Sequence, residues 1–260
     1  MAFFDRTGTT LQPTPDARAP WSADMLHGRL LAGLAAAAIE RDHGAAEFVP
    51  TRLTVDLYRS SAMADTTVTT ALVRAGGRVR VVDALIGVGG REVARMSALW
   101  LRRGEVPEDD DVPVSANWDV SPPGDATPSL VPADVAFDIR VAGGGGFGAP
   151  GPEPRRVWLR DTQELVAGEQ LTPFVRVALC ADFASPLANA GSQGLDYINA
   201  DLTLHLGRLP LGEWIGVESD DRVATAGVSV ARCRYFDVDG PIGWSSVCAV
   251  LNPRLASGDQ

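Results

Sequence analysis

Arg52-Leu53-Thr54-Val55-Asp56-Leu57-Tyr58-Arg59 returns about 150 residues later as Asp201-Leu202-Thr203-Leu204-His205-Leu206-Gly207-Arg208. The register holds to the end of both segments: Gly90 falls opposite Gly240, Ala98 opposite Cys248 and Leu101 opposite Leu251. Apolar and polar residues alternate in both copies, as in a strand with one face buried. A repeat of this period means one folding unit used twice. It also allows a group needed once to be kept in one copy and lost from the other.

Each copy has the same order of elements. Before the first, Leu30, Leu31, Leu34, Ala35, Ala38 and Ile39 recur at three- and four-residue spacing, which predicts a helix over about Leu26–Arg41. Asp24 is a candidate for its cap and Gly44 for its stop. Strands follow at about 48–58, 66–74, 78–88 and 92–102, with glycine turns at Ala75-Gly76-Gly77 and Gly89-Gly90. In the second copy a strand over 135–141, a glycine loop and a strand over 156–160 precede a helix over Pro173–Ala181. Thr172 is suited to cap that helix and Pro173 to open it. Strands are then expected at about 195–206, 213–219, 223–235 and 242–252. The expected class is α+β: a long helix wrapped by a curved antiparallel sheet, twice over. Residues 1–104 form the first unit and 133–260 the second. Between them 105–132, with an acidic run at Glu108–Asp111 and recurrent prolines, reads as an extended, solvated linker.

The composition is that of a chain with a real core, 45% hydrophobic and 22% charged, with a net charge of −10. So acidic a chain is a poor partner for nucleic acid or an anionic membrane. Its three cysteines form no CxxC pair and suit a reducing cytosol. Met1–Thr10 lacks the basic start and apolar run of a signal peptide, so a cytoplasmic location is expected.

Several chemistries are excluded. Gly143-x-Gly145-x-x-Gly148 has the spacing of a dinucleotide fingerprint, but Pro150, Pro152 and Pro154 follow where a helix must start. The segment reads instead as a surface loop or a lid. His27, His43 and His205 are too scattered for a metal site, and no Gly-x-Ser-x-Gly elbow is present. No metal or cofactor is expected. Carboxylates remain. Asp182 sits in the apolar run Leu179-Cys180-Ala181-Asp182-Phe183-Ala184, where burial raises the pKa of a carboxyl group. Two readings stand: a general base, or a helix-end residue turned outward. Asp182 precedes Leu202 by twenty residues, and the same count back from Leu53 reaches Gly33, with no acid near it.

Leu179-x-x-Asp182-Phe183, Tyr197-Ile198-Asn199-Ala200-Asp201 and Gly212-Glu213-Trp214 together resemble the acyl-CoA thioesterase II-like family of double-hotdog fold. His27-Gly28-Arg29-Leu30-Leu31-Ala32-Gly33-Leu34 is similar to that family's first hotdog helix, and Tyr235-x-x-x-Asp239-Gly240-Pro241-Ile242-Gly243 to its last turn. The resemblance spans nearly the whole chain. It implies two tandem hotdog units and hydrolysis of an acyl-CoA by direct attack of water, an Asp acting as base with help from a Thr and a Gln. Asp182 matches the Asp, and Asn199 stands at the Thr position. The Gln position falls on Val247 or Cys248, with Ser246 as the nearby polar substitute. Gly28 either approaches the substrate closely or packs its helix against the sheet. His27 beside it reads as a structural histidine and not a catalytic one, and with Gly28 it is a candidate to line the substrate. Arg59 and Arg208, ending the matching strands, either meet coenzyme A phosphates or are solvated strand ends. A homodimer or larger homo-oligomer is implied. The other classes in play are a non-catalytic fatty-acyl binding protein that lost its triad, and a hydratase, for which no Asp–His pair is evident.

Overall fold

A computed structural model describes residues 1–124, 126–132 and 134–252. Asp125 of the linker, and Ala133 and 253–260 of the second unit, lie outside the described residues. Four short strands, β1 (Ala2–Thr7), β2 (Thr10–Pro13), β3 (Arg18–Ala19) and β4 (Ser22–Leu26), precede helix α1 (Arg29–His43). Four antiparallel strands follow, β5 (Phe48–Leu57), β6 (Thr66–Ala75), β7 (Val79–Val88) and β8 (Arg91–Arg102); the last three are sequential neighbours, and β5 lies against β8. After the linker come β9 (Phe137–Gly143), β10 (Arg156–Asp161), β11 (Glu164–Val166), α2 (Pro173–Ala181) and α3 (Ala184–Asn189). The chain ends with β12 (Ala190–Gly191), β13 (Gly194–Leu195), β14 (Tyr197–Asn199), β15 (Asp201–Leu206), β16 (Ile215–Thr225), β17 (Val228–Asp237) and β18 (Gly240–Leu251).

In the second half β15 likewise lies against the last strand, β18, and the two halves join through β5 and β15 in one sheet, ordered β11-β1-β2-β6-β7-β8-β5-β15-β18-β17-β16-β10-β9, with β14 also on β18. The seam is reciprocal. Thr54 and Thr203, counterparts in the repeat, face each other, flanked by Leu53–Leu204 and Val55–Leu202. The Thr203 hydroxyl donates to that of Thr54 at 3.3 Å. Such an exchange of equivalent contacts is what a twofold relation produces. Joining two edges also removes both from solvent.

The helices lie antiparallel inside the sheet. Gly33 marks their crossing, since a Cβ there would come within 2.5 Å of the Leu179 side chain. The alanines of α1 serve the same purpose: Ala32, Ala35 and Ala36 are buried with Leu30, Leu31, Leu34 and Ile39, so the helix is enclosed by α2 on one side and the sheet on the other. Each fully buried leucine contributes about 1.5–3 kcal/mol. Among the described residues no helix is long and apolar enough to cross a membrane.

Three expectations need correction. The cap of α1 is Gly28, without a side-chain hydrogen bond, and Asp24 lies in β4 instead. The β16–β17 turn lies at Ala226-Gly227, both at positive φ (49° and 76°), as a two-residue hairpin turn requires. Ser219–Asp221, which looks like a turn, is a bulge that lets β16 run on. The linker's acidic run is exposed, but its second half docks: Trp118 stacks on Phe236 at 4.6 Å and donates from Nε1 to Glu218 Oε2 at 3.1 Å. By contrast, α2 begins and ends where its sequence predicts, with the Thr172 hydroxyl accepting the Val175 N–H.

Candidate active site

Asp182 occupies the break between α2 and α3, in a helical conformation at the C-cap. Two contacts hold that break. The Tyr235 hydroxyl donates to the Ala181 carbonyl at 3.0 Å and lies 3.0 Å from the Ser245 hydroxyl. The Ser185 N–H donates to the Asp182 carbonyl at 3.2 Å, starting α3. The carboxylate is thereby aimed between β14 and the start of α1. Its Oδ1 accepts the Asn199 Nδ2–H at 2.8 Å. Its Oδ2 lies 3.4 Å from where a Gly28 Cβ would stand. Burial pushes the carboxyl pKa up; the hydrogen bond from Asn199 and the charge of Arg29 act against that. As a whole residue Asp182 is partly buried, and its carboxyl group is desolvated.

Gly28 precedes the first intrahelical bonds of α1, Leu30 N–H to His27 and Leu31 N–H to Gly28. The N–H groups of Gly28 and Arg29 therefore have no partner within the helix, and the positive end of its dipole faces the acid. Around this end stands an aromatic wall. His27 meets Trp21 edge-on at 5.2 Å and lies 6.1 Å from both Phe137 and Phe183. Burial, helped by Arg29, lowers its pKa to about 3, so the ring is neutral. The glycine loop reaches the same wall: Phe147 lies 6.3 Å from Phe183, and Arg155 ties the loop's far end to the Leu187 carbonyl of α3 and the Ala190 carbonyl just after it.

The structure thus brings Asp182, Asn199, Gly28 and His27 together. Ser246 is elsewhere. Residues on β18 alternate, so Ser245 and Val247 face the helices while Ser246 faces outward with Thr203, its partner on β15. Of the two Gln-position candidates, Val247 is the inward one and cannot hydrogen-bond; Cys248 points out. Arg59 is exposed, two residues before Ser61, whose carbonyl accepts the Leu26 N–H. Arg208 ends β15 at the opposite edge. Its guanidinium is held by the buried Asp237 carboxylate at 2.5 and 2.6 Å.

Counting along the chain misses three features. Glu40, not a residue near Gly33, is the acid of the first helix that corresponds to Asp182. Its carboxylate accepts the hydroxyl of Thr172, the cap of α2, at 2.5 Å. Unequal loops between helix and strand shift the count. Tyr235 and Ser245 are visible only as strand residues until the fold sets them under α2. Arg29 and Asp161 form a buried ion pair at 2.5 Å, 132 residues apart, with no local pattern to announce it.

Comparison with known proteins agrees with this picture. Residues 17–101 match the family described as acyl-CoA thioesterase N-terminal domain, and residues 107–246 the acyl-CoA thioesterase C-terminal domain. No curated protein matches the sequence. Among solved structures, the tesB protein of Mycobacterium avium subspecies paratuberculosis superposes with a TM-score of 0.70 at 14% identity, over 96% of both chains. An acyl-CoA thioesterase II, TesB2, from Mycobacterium marinum gives 0.64 at 16% identity over 86% of this chain and 90% of its own. A hot dog-fold protein from Alicyclobacillus acidocaldarius gives 0.70 at 14% identity over 96% and 95%. At these identities the structures speak for the fold, a hotdog-type α+β arrangement, and the two domain matches speak for the family. With both halves of the sequence and a desolvated acid facing a helix N-terminus in agreement, this chain belongs to the acyl-CoA thioesterase family and is an acyl-CoA thioester hydrolase.

Proposed function

We propose that the protein hydrolyses a fatty acyl-CoA by direct attack of water, with Asp182 as general base and Asn199 orienting the water. The observation that carries this reading is the 2.8 Å bond from Asn199 to one carboxylate oxygen, while the other faces Gly28 at the head of α1. Asp182 takes a proton as the water oxygen bonds to the thioester carbon. The carbonyl oxygen, gaining charge, is met by the N–H groups of Gly28 and Arg29. The C–S bond then breaks, and the proton on Asp182 passes to the departing thiolate. Asn199 spends its Nδ2–H on Asp182, and its own carbonyl oxygen is left to accept a water proton. The Phe137, Phe147 and Phe183 rings provide an apolar flank for the acyl chain. Arg59, which is exposed, is the candidate for a coenzyme A phosphate. Val247 in place of an amide keeps a pure binding role in view, but the family match favours hydrolysis.

In the same reading, residues 1–104 and 133–260 are tandem hotdog units and 105–132 joins them. The reciprocal pairing about Thr54 and Thr203 supports this division. The catalytic reading is tested by thiol release from acyl-CoAs of several chain lengths, with Asp182→Asn alongside. Turnover in the parent and its loss in the variant at a melting temperature no lower than the parent's is the expected result. Equal rates in the two proteins would overturn the assignment.

A further inference from the structure

Two arms diverge from the reacting carbon of an acyl-CoA, and they need different surroundings. The acyl chain gains by leaving water, whereas the thiol arm ends in a nucleotide with charged phosphates and must run out to solvent. Phe183 is buried and Phe137 and Phe147 are half-buried, so their flank suits the chain. The other side of His27 is different. Trp21 is 53% exposed, and its one ring neighbour among the described residues is His27, met edge-on at 5.2 Å. His27 precedes Gly28, whose Cβ position lies 3.4 Å from Asp182 Oδ2. One residue thus separates a wet indole from the head of α1.

A single exposed apolar side chain is ordinary on a protein surface. What sets Trp21 apart is its seat. Ala19 pairs with Ser22, which leaves Pro20-Trp21 as the two-residue tip between β3 and β4. The hairpin is pinned at its base: the His27 N–H donates to the Ala17 carbonyl at 2.9 Å, the Leu26 N–H donates to that of Ser61 at 2.8 Å, and Met25 bridges to Ala62. Ala17 and Leu26 are buried. The same hairpin carries Arg18, opposite Leu26 in the pairing, exposed and without an ion pair among the described residues.

We infer that Trp21 and Arg18 are specificity-determining residues for the coenzyme A portion of the substrate: the indole face receives the pantetheine arm, and Arg18 a phosphate beyond it. This rests on the thioester reacting beside Gly28. Pantetheine is a chain of planar amides on short alkyl links, which matches a ring with an apolar face at a wet edge. Arg18 presents the fork of donors that fits a pair of phosphate oxygens. Arg59 belongs to the segment bonded to the other side of β4, so a cation stands on each side of that strand. Affinity of this kind comes from the leaving group and is indifferent to acyl length.

The test compares kcat/KM for octanoyl-CoA, octanoyl-pantetheine and octanoyl-N-acetylcysteamine on the full-length protein. In Trp21→Ala the preference for octanoyl-pantetheine over octanoyl-N-acetylcysteamine is expected to fall about fivefold, mostly through KM, and Trp21→Phe restores most of it. In Arg18→Ala the preference for octanoyl-CoA over octanoyl-pantetheine is expected to fall about tenfold, and by less at high salt. Equal losses on all three substrates, or none, would make the residues structural or idle and overturn the inference. Calorimetric titration of free coenzyme A into Asp182→Asn, with and without Trp21→Ala, separates it from the base assignment. A weaker Kd in the double variant supports the inference whether or not Asp182→Asn still turns over. An unchanged Kd overturns it even where Asp182 proves to be the base.

Discussion

The two ends of the helix pair have the same construction and opposite outcomes. At each, an acid near the C-terminus of one helix meets the cap of the other: Asp182 meets Gly28, and Glu40 meets Thr172. Both acids are pushed up in pKa by burial. The difference is the cap. Thr172 supplies a hydroxyl that caps its own helix through Val175 and also donates to Glu40, which closes the site on itself. Gly28 has no side chain to donate, so Asp182 Oδ2 accepts no side-chain hydrogen bond among the described residues. The strands differ as well: the repeat sets Pro50 where Asn199 stands, and Pro50 has no amide to offer. An acid in the right place is thus not enough. What makes a site is the absence of a side chain opposite it.

The sharpest way to break this comparison is to neutralise each acid in turn. Asp182→Asn is expected to lower kcat by about a hundred- to ten-thousand-fold, and Glu40→Gln to leave it within about twofold. Similar losses in the two would abolish the distinction. The sign of the pH effect on stability follows from the raised pKa. A buried acid whose folded pKa lies above its unfolded value costs stability once ionised, and nothing below the unfolded value. Melting curves should therefore show Asp182→Asn at least as stable as the parent near pH 8, with the gap closing below about pH 4.

Next in size is to make one end imitate the other. Gly28 has φ −54°, and a Cβ would sit 3.4 Å from Asp182 Oδ2, an ordinary contact, so Gly28→Ser should fold. Its hydroxyl would occupy the carboxylate as Thr172 occupies Glu40. A fall in kcat of about tenfold or more is expected, equal to ~1.4 kcal/mol of lost transition-state stabilisation. Undiminished turnover would show that Oδ2 is not the oxygen used. Asn199→Ala comes after: kcat falls about tenfold and the acid limb of its pH profile rises, since the hydrogen bond that favours the ionised acid is gone. A limb that stayed in place would separate Asn199 from the base.

The smallest effects should come from the closed end. Thr172→Ala removes a cap and a carboxylate partner, and calorimetry should show a loss of about 1 kcal/mol or a little more, with kcat intact. Loss of activity there would mean that the closed end takes part in the chemistry after all.

How far the sequence foretells this depends on the range of the interaction. Strand alternation and the repeat are local or in register, so the strands and the limits of α2 are legible in Leu53, Leu202 and Pro173, while the crossover that sets β5 on β8 and β15 on β18 is not. Asp182 and Asn199 are legible because an acid in an apolar run and a matching motif mark them. The turn at Ala226-Gly227 is obscured by the polar bulge before it, and Ser246 by a single step of alternation that sends it to the other face. Glu40 is hidden by unequal loop lengths. Arg29–Asp161 and Trp118–Phe236 are contacts between residues far apart in sequence, decided only when the sheet closes over the helices.

The seam at Thr54 and Thr203 lies within one polypeptide, although the crevice proposed beside it takes Gly28 from one half and Asp182 from the other. Had the halves been separate molecules, dilution would pull them apart and the rate per molecule would fall with concentration. Tethered as they are, each sees its mate at a fixed effective molarity, and the crevice forms as readily in a single isolated chain as in a crowded solution.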